Sequence, residues 1–317
     1  MKGAVEAVLK EIGSDGPRPS DWVYVQNFAE PHKPIAVELP QGGAPRFRDG
    51  MRELIDDLKV ALPAAFRSEE YQTRRGAVDT GFQKKQGEAF AQLQAKASAR
   101  DIGILRTPMG FALAPTKDGQ IVRPEEFAAW PEEKRKNVQA AIEDLEKELE
   151  RIVHQIPQWE KEHRDEIRRL NRETAQFAIG HSIEETRARF ADLPKVLEHL
   201  ERVRAALIDN VGMFVVKSED EDRAERPGLS GAFEPYEVNV LVTREVEDHG
   251  VPIIEELHPT LGNLTGRIEY VSQQGVLVTN FRLIKAGALH HANGRYLLLD
   301  VRNLLSAPFS WAALKRV

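Results

Sequence analysis

The apolar residues of one long charged stretch repeat with a period of 3.5, and this constrains the chain more than any other feature. Val138, Ile142, Leu145, Leu149, Ile152, Ile156 and Trp159 alternate by four and three, the spacing that keeps one narrow stripe of a helix against a partner helix. Of residues 131–205, 32 are charged and four are Gly or Pro, a composition that means long exposed helices. So narrow a stripe needs cover, so the region is expected to fold back as an antiparallel helical hairpin or bundle projecting from a globular body. Pro157 falls inside the seam, where an interior proline costs ~3 kcal/mol or more, and a kink or break is expected there. Beyond it Ile167, Leu170 and Phe177 continue in a shifted phase, and Gly180 offers a left-handed helix end. Ser182 and Glu185 have the offset of a capping box, and Pro194 opens a further helix with Val196, Leu200, Val203 and Leu207 on one face.

The flanks have an α/β texture. MKGAVEAVLKEIG reads as a short amphipathic helix through Val5, Val8, Leu9 and Ile12, stopped by GSDGPRPS. Two β-rich runs follow, Trp22–Phe28 and Pro34–Pro40, then a helix from about Ala44 with Phe47, Met51, Leu54, Ile55 and Leu58 on one face; Pro63 is expected to bend or break it. Residues 66–101 stay helical but polar, with Phe82, Phe90 and Leu93 too sparse to form a core alone. A β-hairpin is expected over Ile104–Val122, turning at Lys117-Asp118-Gly119, and Pro131 suits the first residue of a helix. Lys217–Ala232 reads as a linker or mobile loop. After it, Tyr236–Val242, Val251–Ile254, Gly266–Val271 and Val276–Phe281 are strand-like. Ile284–Ala292 reads as a helix, Tyr296–Asp300 as a buried strand, and Asn303–Arg316 as a helix interrupted at Pro308. The organisation is therefore α/β over 1–65 and 235–317, with a large helical insertion over 66–234 that contains the small hairpin near 104–122 and the linker 217–232.

Composition narrows the chemistry. With no cysteine in 317 residues, disulfides, thiolate catalysis and Cys-ligated metal centres are excluded. A net charge of −6 argues against a surface made for nucleic acid. No apolar run approaches the ~18–20 residues of a membrane span, and Glu6 interrupts what would be an export signal, so a cytoplasmic protein is expected.

The strongest local signal is Gly294-Arg-Tyr-Leu-Leu-Leu-Asp300, an apolar run ending in an acid. A parallel strand delivers a carboxylate to the carboxyl edge of a sheet in this way, where Asp300 can hold Mg²⁺ as a Walker B acid does. A buried strand followed by a polar turn reads the same. None of the 22 glycines is followed by lysine, so the P-loop G-x-x-x-x-G-K-[ST] is absent, as is G-x-G-x-x-G. This chain alone is not expected to bind ATP tightly. His290 and His291 are adjacent, and neighbours on a helix point ~100° apart, which disfavours a metal pair. His154 and His163 read as solvated surface. Ser306 or Ser310 with Lys315 has no oxyanion hole to support catalysis, Glu143 and Lys147 are ordinary helix support, and Trp130 and Trp159 read first as packing anchors. No catalytic residue is assigned.

Lys285–Asp300, with its Gly-Ala-Leu-His-His-Ala-Asn-Gly core, resembles the stretch through Walker B in the AAA+ module of Lon-type ATP-dependent proteases, especially the archaeal-like Lon-homologue branch. Asp21–Phe28, Pro34–Gly42, Arg106–Phe111, His258–Tyr270 and Trp311–Arg316 resemble the same branch in the same order. The resemblance implies a partial AAA+ core with a mainly parallel sheet, its first part in 1–65 and its second, carrying the Walker B-like strand, in 235–317, and a helical coiled-coil insertion between. It implies a P-loop just upstream of Met1, and a lid, an arginine finger and a Ser–Lys protease domain beyond Val317. Asp300 would be the cofactor-binding and metal residue, with ATP and Mg²⁺ the cofactors of the full-length protein. Protein substrates and a homo-oligomeric ring would be its partners, and the helical insertion would engage substrates or partner proteins. Two departures stand out: Val301 follows Asp300 where many relatives have the water-positioning glutamate, and Arg295 replaces a second glycine. The alternative reading is a non-catalytic adaptor built on a helical hairpin.

Overall fold

The computed structural model describes residues 3, 5, 7–9, 19–107, 110–117, 119–214, 231–243, 253–273 and 275–317. The amino-terminal helix over 1–13 and the linker 217–232 fall largely outside them. The chain divides into two compact units, Met1–Phe66 with Ala175–Val317, and Arg67–Thr174. No helix among the described residues is long and apolar enough to cross a membrane.

In the Arg67–Thr174 unit, Ser68 caps helix α2 (Glu69–Ser98) by accepting from the Tyr71 N–H at 3.2 Å. The strands β3 (Ile102–Thr107), β4 (Gly110–Lys117) and β5 (Gln120–Ile121) follow as an antiparallel meander. Gly119 takes φ +80° at the second turn, as the expected hairpin requires, since a Cβ disfavours that region. After the short helix α3 (Pro124–Ala128), the carbonyl of Pro131 accepts the first bond of helix α4 (Glu132–Arg189). Proline thus stands just before that helix rather than as its first residue.

The seam does find a partner, but not the expected one. Leu145, Leu149, Ile152 and Trp159 of α4 bury themselves with Leu93, Ala97 and Ile102, and Phe82 and Phe90 pack against them. The sparse apolar positions of the polar helix are therefore the missing cover. At roughly 1.5–3 kcal/mol per buried large apolar side chain, neither stripe is stable in water without the other. Polar pairs set the antiparallel register: Tyr71 Oη donates to Asn171 Oδ1 at 2.8 Å, Lys85 pairs with Glu162 at 2.7 Å, and Lys96 pairs with Glu148.

Helix α4 runs through Pro157 and through Gly180 and Ser182, so the expected break and restart do not occur. Burial outweighs the local penalty, because Ile152 and Trp159 anchor the helix on both sides of the proline. Pro157 is itself exposed, and Val153, whose carbonyl loses its donor, is 42% exposed, which leaves that carbonyl to water. Pro157→Ala should restore the bond and raise the stability of this unit by about 2 kcal/mol. A thermal midpoint no higher than wild type would show that the proline costs nothing here.

In the other unit, β1 (Asp21–Val25) is flanked by β2 (Ile35–Leu39) and β6 (Val238–Val242), both antiparallel. Alternation buries Asp21, Val23 and Val25 on one face. Helix α1 (Gly43–Arg67) buries Phe47, Met51, Leu54, Ile55 and Leu58, the stripe expected of it, and continues past Pro63 to end at Arg67. Helix α5 (Pro194–Asp209) begins at its expected proline and buries Val196, Leu200, Val203 and Leu207. The end of α4 contributes Ile179 and Ile183, whereas Phe177 is 88% exposed, so the shifted stripe does not include it. Phe190, just beyond α4, meets Phe47 edge-on at 5.8 Å. Asp21 is fully buried, and its Oδ2 accepts from the Ala44 N–H at 3.0 Å and from Thr243 Oγ1 at 3.2 Å. A carboxylate at the first amides of α1 complements the helix dipole and fixes the helix to the strand.

The rest of this unit is a mixed α/β assembly of short elements: β7 (Ile253–Glu256), α6 (Leu261–Thr265), β8 (Arg267–Ile268), β9 (Val271–Gln273), β10 (Val276–Val278), β11 (Ile284–Lys285), α7 (Ala288–His291), β12 (Tyr296–Leu299), α8 (Val301–Ser306) and α9 (Ser310–Leu314). The helix expected over Ile284–Ala292 is instead a short strand and one helical turn, with Gly287 at the junction. Helices α8 and α9 reproduce the expected interruption at Pro308. The parallel ladder among the described strands is β7 with β12; the others are antiparallel, because short connections such as those joining β1 to β2 and β9 to β10 return the chain alongside itself. The described sheets are thus small and mostly antiparallel, not mainly parallel.

Candidate functional site

The parallel pair among the described strands carries the acid singled out in the sequence at its end. β12 runs alongside β7 in the register Tyr296↔Ile253 to Leu299↔Glu256. Leu297 and Leu299, two apart and so on one face, pack on the buried cluster of Leu264, Ala288 and Leu304. Covered on one face, β12 is half-buried along its length rather than fully buried as its sequence suggests. Asp300 follows its last residue and is exposed at the carboxyl edge.

Asp300 also caps α8: Oδ1 accepts from the Asn303 N–H at 3.0 Å. Asn303 Nδ2 in turn donates to the Leu257 carbonyl at 3.1 Å, joining the end of β12 to the end of β7. Glu256, opposite Leu299, accepts at Oε1 from the His258 N–H at 2.7 Å, and the His258 carbonyl accepts from Asn263 Nδ2 at 2.9 Å. Two carboxylates, Asp300 and Glu256, therefore sit at one carboxyl rim. They are hard oxygen donors of the kind Mg²⁺ takes. Among the described residues no group of three or more His, Asp or Glu is placed to hold a metal ion, so most of the coordination of a Mg²⁺ at Asp300 would come from water and phosphate oxygens.

The remaining candidates serve local structure. His290 Nδ1 accepts from the Gly287 N–H at 3.2 Å, and burial, with Arg295 and His290 nearby, lowers the pKa of His291. Ser306 Oγ donates to the Arg302 carbonyl at 2.8 Å, Ser310 is fully buried, and the Lys315 ammonium lies 5.7 Å from the Trp311 ring, so no serine–lysine pair is assembled. Trp159 is a core residue, and Trp130 packs on Phe127 and beneath Lys134. His154 is exposed beside Glu150, as expected. His163 is not solvated surface: it stacks on Phe82 at 4.7 Å, and its Nε2 lies 2.7 Å from Asp79 Oδ1. The sequence reading missed Glu256, Asn303 and the Asp79–His163 pair. Asn303, three residues beyond Asp300 in a capping offset, carried a signal; the other two depend on pairings across more than 40 positions.

A cleft of about 480 Å³ opens elsewhere in this unit, lined by Trp22, Tyr24, Leu241, Leu289, His290 and Asn293. With no Asp or Glu side chain among the residues that line it, it does not offer the chemistry that Asp300 does.

Residues 249–317 match the family model described as LonB-like, AAA domain, and residues 21–54 match that described as Lon-like LonC helical domain. No curated protein matches the chain. The first match contains the whole β7–β12 rim with Asp300, and an AAA domain implies ATP use. Two separate parts of the chain thus resemble domains of Lon-like proteins.

Proposed function

We propose that this chain is the part of a Lon-type ATP-dependent serine protease that carries the Walker B-like strand of its AAA+ module, together with an inserted helical domain. The observation that carries the reading is Asp300, an exposed carboxylate at the carboxyl end of a parallel strand inside the matched AAA segment. In the intact protein, a second oxygen of Asp300 that does not cap α8 is left to hold Mg²⁺ through its water shell or directly, and Asn303 keeps the strand ends fixed beneath it. Bound Mg²⁺ supplies charge neutralisation on the phosphates of ATP. Glu256 ends the neighbouring strand, opposite Leu299, and is the acid at this rim that can stand in for the glutamate absent at Val301. A phosphate cradle must come from other residues of the full-length protein, because this sequence contains no P-loop. Unfolded protein substrates, a homo-oligomeric ring and a Ser–Lys peptidase site are properties of that whole protein.

Asp300→Asn in the full-length protein separates the two roles of the side chain, because asparagine still caps a helix. Mg²⁺-dependent ATP hydrolysis is expected to fall about tenfold or more, with the thermal midpoint within a degree or two of wild type. Hydrolysis at the wild-type rate would remove Asp300 from the metal site and leave it a capping residue.

A further inference from the structure

Helix α2 contains Gly76, Gly81 and Gly87, and at each position a Cβ would meet nothing within 4 Å. Glycine inside a helix costs about 0.5–1 kcal/mol relative to alanine. No close approach of backbone or side chain calls for it here. Gly81, however, lines a cleft of about 410 Å³ in the Arg67–Thr174 unit, with Phe82, Lys85, Trp159, His163 and Glu166 around it. A larger residue at 81 would stand in that space.

The walls of the cleft have a specific chemistry. Phe82 and the His163 imidazole form one stacked face, 4.7 Å between centroids and 29° apart. The Trp159 ring forms a second, and it already attracts a cation: Lys85 Nζ is 5.6 Å from its centroid while bonded to Glu162 Oε2 at 2.7 Å. Asp79 accepts from His163 Nε2 at 2.7 Å, so in the neutral imidazole Nδ1 is the acceptor. Glu166, one turn beyond His163 and on the same side of α4, uses Oε1 for Arg169 at 2.5 Å, and its other oxygen has no partner among the described residues. The three carboxylates around the cleft each have a cation, Asp79 with Arg75, Glu162 with Lys85 and Glu166 with Arg169, so the charges there balance, and what the walls leave unused are acceptors.

We propose that this cleft binds a guanidinium group, stacked on its aromatic walls and donating to His163 Nδ1 and to the free oxygen of Glu166. A guanidinium is flat, weakly hydrated and rich in diverging donors, which matches paired π faces with two acceptors on one helix side. An ammonium lacks the flat face, and an anion would meet acceptors where it needs donors. The group reaches the cleft either on an arginine of a polypeptide or as a free small guanidinium compound. The inference uses residues of the helical unit only, and it stands or falls apart from the AAA+ reading of Asp300.

Titrating the whole chain at low salt with N-acetyl-L-arginine amide tests it, by calorimetry and by the ring ¹⁵N resonances of His163. Saturable binding is expected, with the His163 nitrogen signals moving as sites fill, and N-acetyl-L-lysine amide is expected to bind at least about fivefold more weakly. Gly81→Leu should weaken binding about tenfold or more while leaving the thermal midpoint equal or higher, because leucine is the better helix former. Glu166→Gln should keep the fold and weaken binding about fivefold. A blocked peptide with one arginine binding as well as the amide places the source in polypeptides, and binding of the amide alone places it in a free small compound. The inference is overturned by a titration with no saturable signal, by equal affinity for the arginine and lysine amides, or by a folded Gly81→Leu that binds like wild type.

Discussion

Gly287→Ala is expected to destabilise the carboxyl-terminal assembly by at least about 3 kcal/mol, near the upper end of what overpacking costs. A Cβ at 287 would lie 2.3 Å from the Gly266 nitrogen and 2.4 Å from the Leu264 carbonyl oxygen, all backbone atoms that no rotamer change can move aside. Gly266 meets it from the other side: it takes φ +83°, and its own Cβ would lie 2.4 Å from the Lys285 carbonyl oxygen. The two glycines let the end of α6 touch the turn between β11 and α7. That contact brings Leu264 and Ala288 into the cluster that covers β12. Separating the backbones therefore uncovers the strand that ends at Asp300. Gly262→Ala, four residues earlier and facing open space, is the matched control and should change stability by less than about 1 kcal/mol. Urea unfolding of both variants, with proteolysis of the 253–317 segment as the local readout, decides the matter; equal midpoints would show that the close approach is not needed.

The second large effect is on acid stability. His199 of α5 is fully buried, stacked on Phe28 at 6.2 Å and edge-on to Phe47 at 6.0 Å, and neither ring nitrogen has a hydrogen-bond partner among the described residues. Burial, helped by the Arg202 charge, pushes its pKa down to about 4 from an ordinary 6.5. Above the ordinary value, folded and unfolded chains both hold it neutral and the stability is complete. As the pH falls below that value the unfolded chain takes up the proton first, so stability declines by up to about 1.4 kcal/mol per pH unit until the folded form also protonates. The whole loss is about 3 kcal/mol, and most of it accrues before the carboxylates begin to protonate below about pH 5. His199→Leu keeps the apolar contacts and removes the proton. Its stability difference from wild type should therefore shift in its favour by about 2 kcal/mol between pH 7.5 and pH 5, measured by denaturant unfolding. Parallel pH profiles for the two proteins would mean that water or a rearrangement reaches the ring when it charges.

The sequence alone identified the buried faces of α1 and α5, the seam over 138–159, and where several elements begin. The stripes of α1 and α5, the proline that opens α5, the hairpin turning at Gly119, and an acid placed directly after β12 all follow from interactions within a turn or two of the chain. Periodicity names a face, but it does not name what covers that face. The seam of α4 is covered by Phe82, Phe90 and Leu93, more than 50 residues away, and that burial carries the helix through a proline that local propensity alone would have made a break. The same limit hid the Asp79–His163 pair and the placing of Glu256 opposite Leu299 at the rim where Asp300 follows, which need two helices in antiparallel register and two strands in parallel register. Local preferences are worth tenths to a few kcal/mol per residue and act between near neighbours. Which distant groups meet was decided by the tertiary structure, because shared burial of apolar surface outweighs those preferences and brings together residues that no short-range pattern relates.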